Sequence, residues 1–128
     1  MQILFKAILI VLVFFIAVPS VSADRCASAD EIRDRKISKV YEWTVDDGIT
    51  LDDLLSVKNL FAVSVENNGE FVSCKYKNDN RFLKLDGLPK KEKCSIITSS
   101  GKWFTIGTGR VICYEKDAER CLFDIECL

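Results

Sequence analysis

The alternation of apolar and polar residues predicts short strands, and it is clearest over residues 60–77. The faces predicted for its first half are Phe61, Val63 and Val65 on one side and Leu60, Ala62 and Ser64 on the other. Such period-two alternation is typical of a half-buried strand. Asn67-Asn68-Gly69 supplies residues that tolerate the positive φ of a tight turn. The segment therefore predicts a β-hairpin.

Further strands follow from the same pattern and from the turn residues between them. A first strand is predicted at 40–45, ending at Asp46-Asp47-Gly48, and a third strand of the meander at 81–85, followed by a basic loop containing Pro89. A second hairpin is predicted from 94–98 and 102–106 across Ser99-Ser100-Gly101, then a strand at 110–114. The tail, residues 122–125, is either a final strand or a coil held between Cys121 and Cys127.

Two short helices are predicted from their capping residues. Ser28 with Glu31 three residues later fits a capping box, and a weakly amphipathic helix follows over about residues 29–36. Thr50 can cap a brief helix over residues 51–55, whose Asp52 and Asp53 favour the positive end of the helix dipole.

These elements define an α+β fold that is mainly antiparallel β-sheet, with about six or seven short strands and one or two short helices. Two arrangements satisfy the pattern: a single curved sheet with the first helix packed on it, and a small sandwich. Residues 24–128 show no internal repeat or linker, and their 105 residues match one domain.

Residues 1–23 have the order of a secretory signal peptide. Lys6 is followed by an apolar run over residues 7–18, then Pro19 and the small residues Val21-Ser22-Ala23. We expect cleavage after Ala23. The alternative is an uncleaved membrane anchor, but a span needs about 20 apolar residues and this run is shorter.

All six cysteines lie in residues 24–128 and predict up to three disulfides. They are Cys26, Cys74, Cys94, Cys113, Cys121 and Cys127. An even number behind a signal peptide is typical of a disulfide framework, and the spacing leaves every pairing open. A zinc site is the weaker alternative because the chain has no Cys-x-x-Cys pair and no histidine. Alternation places Cys74 and Cys113 on apolar faces, so both should point into the core.

The charges of residues 24–128 nearly balance, with 17 basic and 19 acidic residues, which argues against a nucleic-acid or anionic-membrane binder. They are segregated along the chain. Asp46, Asp47, Asp52 and Asp53 lie in an acidic segment, whereas residues 75–93, with Lys90 and Lys91, are mainly basic. A two-signed surface could bind a partner or a second copy; the alternative is a set of ordinary solvated turns.

No arrangement of residues predicts catalysis, a metal or a cofactor. Without histidine, the chain lacks the usual general base and the commonest transition-metal ligand. The aspartate pairs resemble neither the carboxylates of a glycosidase, one of which needs a raised pKa, nor a calcium loop with its closing glutamate. We therefore expect no enzyme.

The aromatic residues favour a core role over a ligand platform, because each lies in an alternating strand. They are Trp43, Phe61, Phe71, Phe82, Trp103 and Phe104. Trp103 and Phe104 are adjacent and must face opposite sides of a strand. One of the two is therefore the first candidate for a partner contact.

The order of several motifs resembles the EirA family, small exported proteins of intracellular gamma-proteobacteria associated with the Dot/Icm type IVB secretion system. The similarity spans residues 24–128. The motifs are Cys26 near the start, Tyr41-x-Trp43, Leu54-Leu55-Ser56-Val57, Phe61-Ala62-Val63, Cys74-Lys75-Tyr76 and Cys113-Tyr114. The tail from Cys121 to Cys127 is not matched securely to the family pattern, so the resemblance assigns it no role.

The resemblance implies a periplasmic, non-enzymatic accessory protein that supports the secretion machinery at the inner-membrane face and intracellular replication. We expect its partner to be a protein of the cell envelope, such as a secretion-system component, or a second copy of itself, and we expect no stable membrane insertion after cleavage of the signal peptide. Two alternatives stand beside it: a secreted binding or inhibitor module that acts on a host or competitor protein, and a small hydrolase that uses acidic residues.

Overall fold

The computed structural model describes residues 24–79 and 81–128. In chain order, the elements are α1 (Ala29–Arg33), β1 (Tyr41–Val45), α2 (Leu51–Leu55), β2 (Asn59–Glu66), β3 (Phe71–Lys77), β4 (Phe82–Pro89), β5 (Cys94–Gly101), β6 (Phe104–Thr105), β7 (Val111–Cys113), a 3₁₀ turn (Ala118–Arg120) and β8 (Cys121–Cys127). The named strand pairs are antiparallel, which confirms the predicted α+β class. The predicted signal peptide, residues 1–23, lies outside the described residues.

The described part of the chain contains no helix with the length and apolar character needed to cross a membrane. Both helices are five residues long. They are too short to be stable alone and depend on their caps and on packing.

Capping boxes begin both helices. The Glu31 backbone N–H donates to Ser28 Oγ at 3.2 Å, and the Ser28 N–H donates to Glu31 Oε1 at 3.0 Å. Thr50 and Asp53 exchange the same pair of bonds. α1 ends three residues earlier than predicted because Arg35 adopts a left-handed φ of 58°, which turns the chain out of the helix.

Six strands form one sheet in the order β1-β4-β3-β2-β7-β6. The predicted hairpin is its centre: β2 and β3 pair over their whole length, and Asn67, Asn68 and Gly69 have φ values of 50°, 56° and 94°. β4 continues the meander and pairs with both β3 and β1. It runs to Pro89, so Pro89 ends a strand instead of lying in the basic loop as predicted.

A bulge in β2 corrects the predicted faces of this strand. The register with β3 shifts between Leu60 and Ala62, so one extra residue, Phe61, is inserted there. Leu60 consequently joins Val63 and Val65 in the core, whereas Phe61 leaves it. Strict alternation does not predict this shift, because it assigns successive residues to opposite faces and makes no allowance for an inserted residue.

The predicted hairpin of residues 94–98 and 102–106 is wrong. β5 pairs instead with β8 in a separate two-stranded sheet, and β6 pairs with β7. The segment that was predicted to turn at Gly101 stays extended, with Gly101 opposite Cys121. An alternating pattern identifies a strand but not the strand with which it pairs. Here β5 pairs with β8, which is distant in the sequence, and not with the segment that follows it.

The core lies between one face of the six-stranded sheet and a layer that contains α1, β5 and β8. Ile32 of α1, Ile96 of β5 and Phe123 of β8 are each at most 3% exposed and belong to one apolar cluster with the sheet residues. The architecture thus combines the two predicted arrangements, since a helix and a second small sheet cover the same face.

The fold contains three disulfides, Cys26–Cys74, Cys94–Cys127 and Cys113–Cys121, and the first and third connect the two layers. Cys74 and Cys113 are fully buried, which confirms that they point into the core. The first bridge fixes the segment before α1 to the central sheet. The second joins facing ends of β5 and β8 at the surface, where Cys127 is exposed.

Candidate interaction surfaces

A groove with three lysines forms where β1 begins and β4 ends. Because these strands are antiparallel, the residues before β1 and those after β4 lie side by side, and the Lys90 N–H donates to the Val40 carbonyl oxygen at 3.1 Å. We call it the lysine groove, and its volume is about 440 Å³. It is lined by Lys39, Val40, Lys90, Lys91, Ile125 and the Cys94–Cys127 disulfide.

The lysine groove combines apolar walls with free positive charge. Within residues 24–79 and 81–128, none of Lys39, Lys90 and Lys91 has a carboxylate within 4.0 Å. Val40 is 51% exposed at its edge. The volume falls within the range of about 300–1,000 Å³ that is typical of ligand sites. This chemistry suits a segment that carries both carboxylates and apolar side chains.

Two residues of this groove could be predicted from the sequence. Lys90 and Lys91 were candidates because of the basic segment around them. Lys39, Val40 and Ile125 were missed, because they come from two other elements and only the β1–β4 register and the β5–β8 pair bring them to the same place. A correct β1–β4 register would have revealed Lys39 and Val40.

The acidic candidates are partly neutralised by the basic segment. Lys84 Nζ lies 3.8 Å from Asp46 Oδ1, and Arg81 Nη1 lies 3.3 Å from Asp53 Oδ2. Asp47 and Asp52 are exposed and have no ion pair among the described residues. The charges that are segregated along the chain therefore meet in space, because β4 belongs to the basic segment and pairs with β1.

The environment of the acidic residues fits neither a glycosidase site nor a calcium site. The backbone N–H of Thr50 hydrogen-bonds Asp53 and lowers the pKa of its carboxyl group, the opposite of what a general acid needs. Among the described residues, no group of three or more Asp, Glu or Cys side chains is arranged to hold a metal ion.

Trp103 and Phe104 face opposite sides, as the sequence predicts for adjacent residues. Trp103 packs against the core, and its buried Nε1 has no hydrogen-bond partner in the part of the chain that the structure describes. Phe104 is 54% exposed and lies opposite Ile112 of β7. Phe104 is therefore the member of the pair that an external partner can reach.

Phe104 lies on the outer sheet face, which we define as the face of the six-stranded sheet directed away from the core. Phe82 is on this face too and is 70% exposed. Its ring centroid is 5.2 Å from that of Phe61, and Lys77 Nζ lies 5.8 Å above it. The predicted core role is thus wrong for Phe61, Phe71 and Phe82, whereas Phe104 is the exposed member of the Trp103–Phe104 pair. The aromatic residues that fill the core are Tyr41, Tyr76 and Phe123.

A polar row crosses the middle of the outer sheet face. Ser64 lies opposite Ser73, which lies opposite Asp86 on the next strand. The Ser73 hydroxyl and Asp86 Oδ1 are buried, and neither has a hydrogen-bond partner within residues 24–79 and 81–128. Beside them, burial lowers the pKa of Lys75. This row could not be predicted from the sequence, because only the register of three strands aligns it.

In comparisons with known proteins, no family model, no curated protein and no solved structure matches this chain. The resemblance to the EirA family therefore stays a prediction that rests on the quoted residues.

Proposed function

We propose that this protein is a periplasmic, non-enzymatic accessory protein that supports Dot/Icm type IVB secretion and intracellular replication. In this proposal it binds a protein partner of the cell envelope, such as a secretion-system component, through the lysine groove. The resemblance to the EirA family supplies the cellular role. The observation that carries the binding role is the groove itself, whose three ammonium groups have no ion pair with any described residue and lie beside apolar walls.

Three disulfides support a location outside the reducing cytosol. Each of the six cysteines is paired. Such bridges form and persist in oxidising compartments such as the periplasm. A rigid β-rich body fixed in this way can present a preformed surface, which lowers the entropic cost of binding a partner.

The charges of the groove define the partner segment. Carboxylates of the segment would meet Lys90 and Lys91, and an apolar side chain would cover Val40 and Ile125. Exposed charge pairs contribute mainly to the association rate and to specificity, and salt screens them over about 8 Å at physiological ionic strength. Binding should therefore weaken as salt rises.

Charge reversal tests the groove. The variant Lys90→Glu/Lys91→Glu should lose capture of its envelope partner, and effector translocation should fall with it. Lys102→Glu/Lys116→Glu is the matched control, because both lysines are exposed, lie outside the groove and have no ion pair among the described residues. Equal capture by the two variants would refute the role of the groove. Normal translocation in a deletion strain would refute the role in secretion.

Cell fractionation tests the compartment. The proposal expects the processed protein in the periplasm of the bacterium that makes it. Recovery from the culture medium or the host cell would instead favour a secreted module that binds or inhibits a host or competitor protein.

A further inference from the structure

β1 is an edge strand with unsatisfied backbone groups. It pairs with β4 alone and is the outermost strand of the sheet. The Lys90 N–H donates to the Val40 carbonyl oxygen. In an antiparallel pair, the residues of one strand alternately direct their backbone groups toward and away from the partner strand, so this bond shows which residues of β1 face β4. The backbone groups of Tyr41, Trp43 and Val45 consequently point away from β4. Among the described residues, these outward groups make no backbone hydrogen bond.

The other strand edges are shorter or partly covered. β6 has only two residues. On β8, Phe123 exchanges two backbone hydrogen bonds with Asp24, at 2.7 and 3.0 Å. On β5, the Ile96 N–H donates to the Gly69 carbonyl oxygen at 2.7 Å. β1 is therefore the strand best able to accept another strand.

We propose that β1 pairs antiparallel with β1 of a second copy of this chain and forms a two-fold symmetric dimer with one continuous sheet. Charge favours this occupant. Lys39 precedes β1 and Asp47 follows it, and neither has an ion pair within its own copy among the described residues. Antiparallel pairing brings the basic end of each strand beside the acidic end of the other.

The charges also select the register. Only outward-pointing residues can bond across the edge, so Trp43 can lie opposite Tyr41, Trp43 or Val45 of the second copy. With Trp43 opposite Tyr41, Glu42 lies opposite Glu42 of the second copy. With Trp43 opposite Val45, Glu42 lies opposite another acidic residue, Asp46. Directly opposed like charges destabilise a sheet.

The central register avoids both conflicts. With Trp43 opposite Trp43 of the second copy, Glu42 lies opposite Thr44. Lys39, two residues before β1, then comes beside Asp47, two residues after β1 of the other copy, and the symmetry produces this contact twice. Val45, which is 39% exposed in one copy, lies opposite Tyr41. Opposite charges and apolar residues in facing positions stabilise a strand pair.

This dimer shares Lys39 with the lysine groove, but it does not use Lys90 or Lys91. Lys90 and Lys91 follow β4, on the side of β1 away from its free edge. Pairing of the edges therefore leaves these two lysines accessible. Dimerisation and partner capture can each fail while the other remains.

The first test blocks the backbone edge. The oxidised protein should sediment as a dimer, and Val45→Pro should weaken the dimer at least about tenfold, because proline removes one outward N–H without breaking a bond to β4. Val45→Thr keeps this N–H and is the control. A cooperative thermal unfolding transition shows that each variant is folded. A wild-type protein that is monomeric at about 1 mM, or a dimer that Val45→Pro leaves intact, would overturn the proposal.

The second test exchanges the charges. Lys39→Asp and Asp47→Lys should each weaken the dimer about tenfold, since each puts like charges opposite each other at two places. The double variant Lys39→Asp/Asp47→Lys should restore wild-type affinity to within about threefold. Loss of affinity in the double variant equal to that of the singles would show that the two residues do not meet.

Discussion

The hydroxyl group of Tyr76 donates a hydrogen bond of 2.6 Å to the carbonyl oxygen of Ala27 inside the core. The neighbouring residue, Cys26, is joined to Cys74 on the same strand as Tyr76. A covalent bond and a buried hydrogen bond thus fix the segment before α1 to the central hairpin. The hydrogen bond from Tyr76 satisfies the Ala27 carbonyl group, which burial would otherwise leave without a partner.

We expect Tyr76→Phe to destabilise the fold by about 1–3 kcal/mol, because it leaves the Ala27 carbonyl group buried and unpaired. Thermal unfolding of the oxidised protein measures the loss. Tyr114→Phe is the control, since Tyr114 is 61% exposed and makes no hydrogen bond among the described residues. Equal changes in the two melting temperatures would contradict the role of the Tyr76 bond.

Reduction should open the disulfides in order of exposure. Cys127 is exposed and Cys94 is half-buried, whereas Cys26 and Cys74 are fully buried. With a low concentration of reductant followed by alkylation, mass spectrometry should find the Cys94–Cys127 pair labelled first. Simultaneous labelling of all cysteines would mean that the bridges open only on global unfolding.

Removal of the Cys26–Cys74 bridge should cost more stability than removal of the Cys113–Cys121 bridge. The two span 48 and 8 residues. The loop-entropy relation gives about 4 and about 2.5 kcal/mol, respectively. Paired Cys→Ala variants measured by denaturant unfolding test this order, with the wild-type protein under reduction as the common lower limit. The reverse order would show that the entropy of the unfolded chain does not dominate.

Glu31 should make folding sensitive to acid. A side-chain hydrogen bond from Arg25, with Nη2 at 2.9 Å from Oε2, lowers the pKa of Glu31 to about 2. Since this pKa is below that of the unfolded chain, about 4.3, the stabilisation is complete above that value and is lost as pH falls toward 2. We expect Glu31→Gln to flatten the melting temperature between about pH 4.3 and 2. The same flattening in Glu92→Gln, an exposed control, would contradict this assignment.

Gly69 should tolerate alanine worse than Gly48 does. Both have positive φ, 94° and 84°, so both substitutions incur the backbone penalty of about 1–2 kcal/mol. Only at Gly69 would a Cβ meet a neighbour, at 2.5 Å from the Ile96 carbonyl oxygen, whereas Gly48 has open space. Gly69→Ala should therefore lose about 1–3 kcal/mol more in denaturant unfolding. Equal losses would mean that the hairpin and β5 can separate at no cost.

The local elements could be predicted from the sequence, and the long-range pairings could not. The hairpin of β2 and β3 follows from alternation around Asn67-Asn68-Gly69, and both capping boxes follow from spacing of three residues. By contrast, β5 chooses a partner that starts 20 residues after its own end. Alternation marks a strand but does not identify its neighbour.

For the candidate surfaces, too, single residues could be predicted from the sequence, whereas their arrangement in space could not. Lys90 and Lys91 could be named from a basic segment, and Phe104 from its adjacency to Trp103. The composition of the lysine groove could not, because Lys39 depends on the β1–β4 register. The aspartates looked like one acidic surface, yet Asp46 and Asp53 pair with the basic segment once the strands align.

The bridge between Asp24 and Phe123 joins positions about 100 residues apart. Contacts of such separation raise the contact order, and folding slows as contact order rises. The core is complete only when Phe123 has joined the segment before α1, so the apolar face of the central hairpin stays uncovered until the last strand is in place.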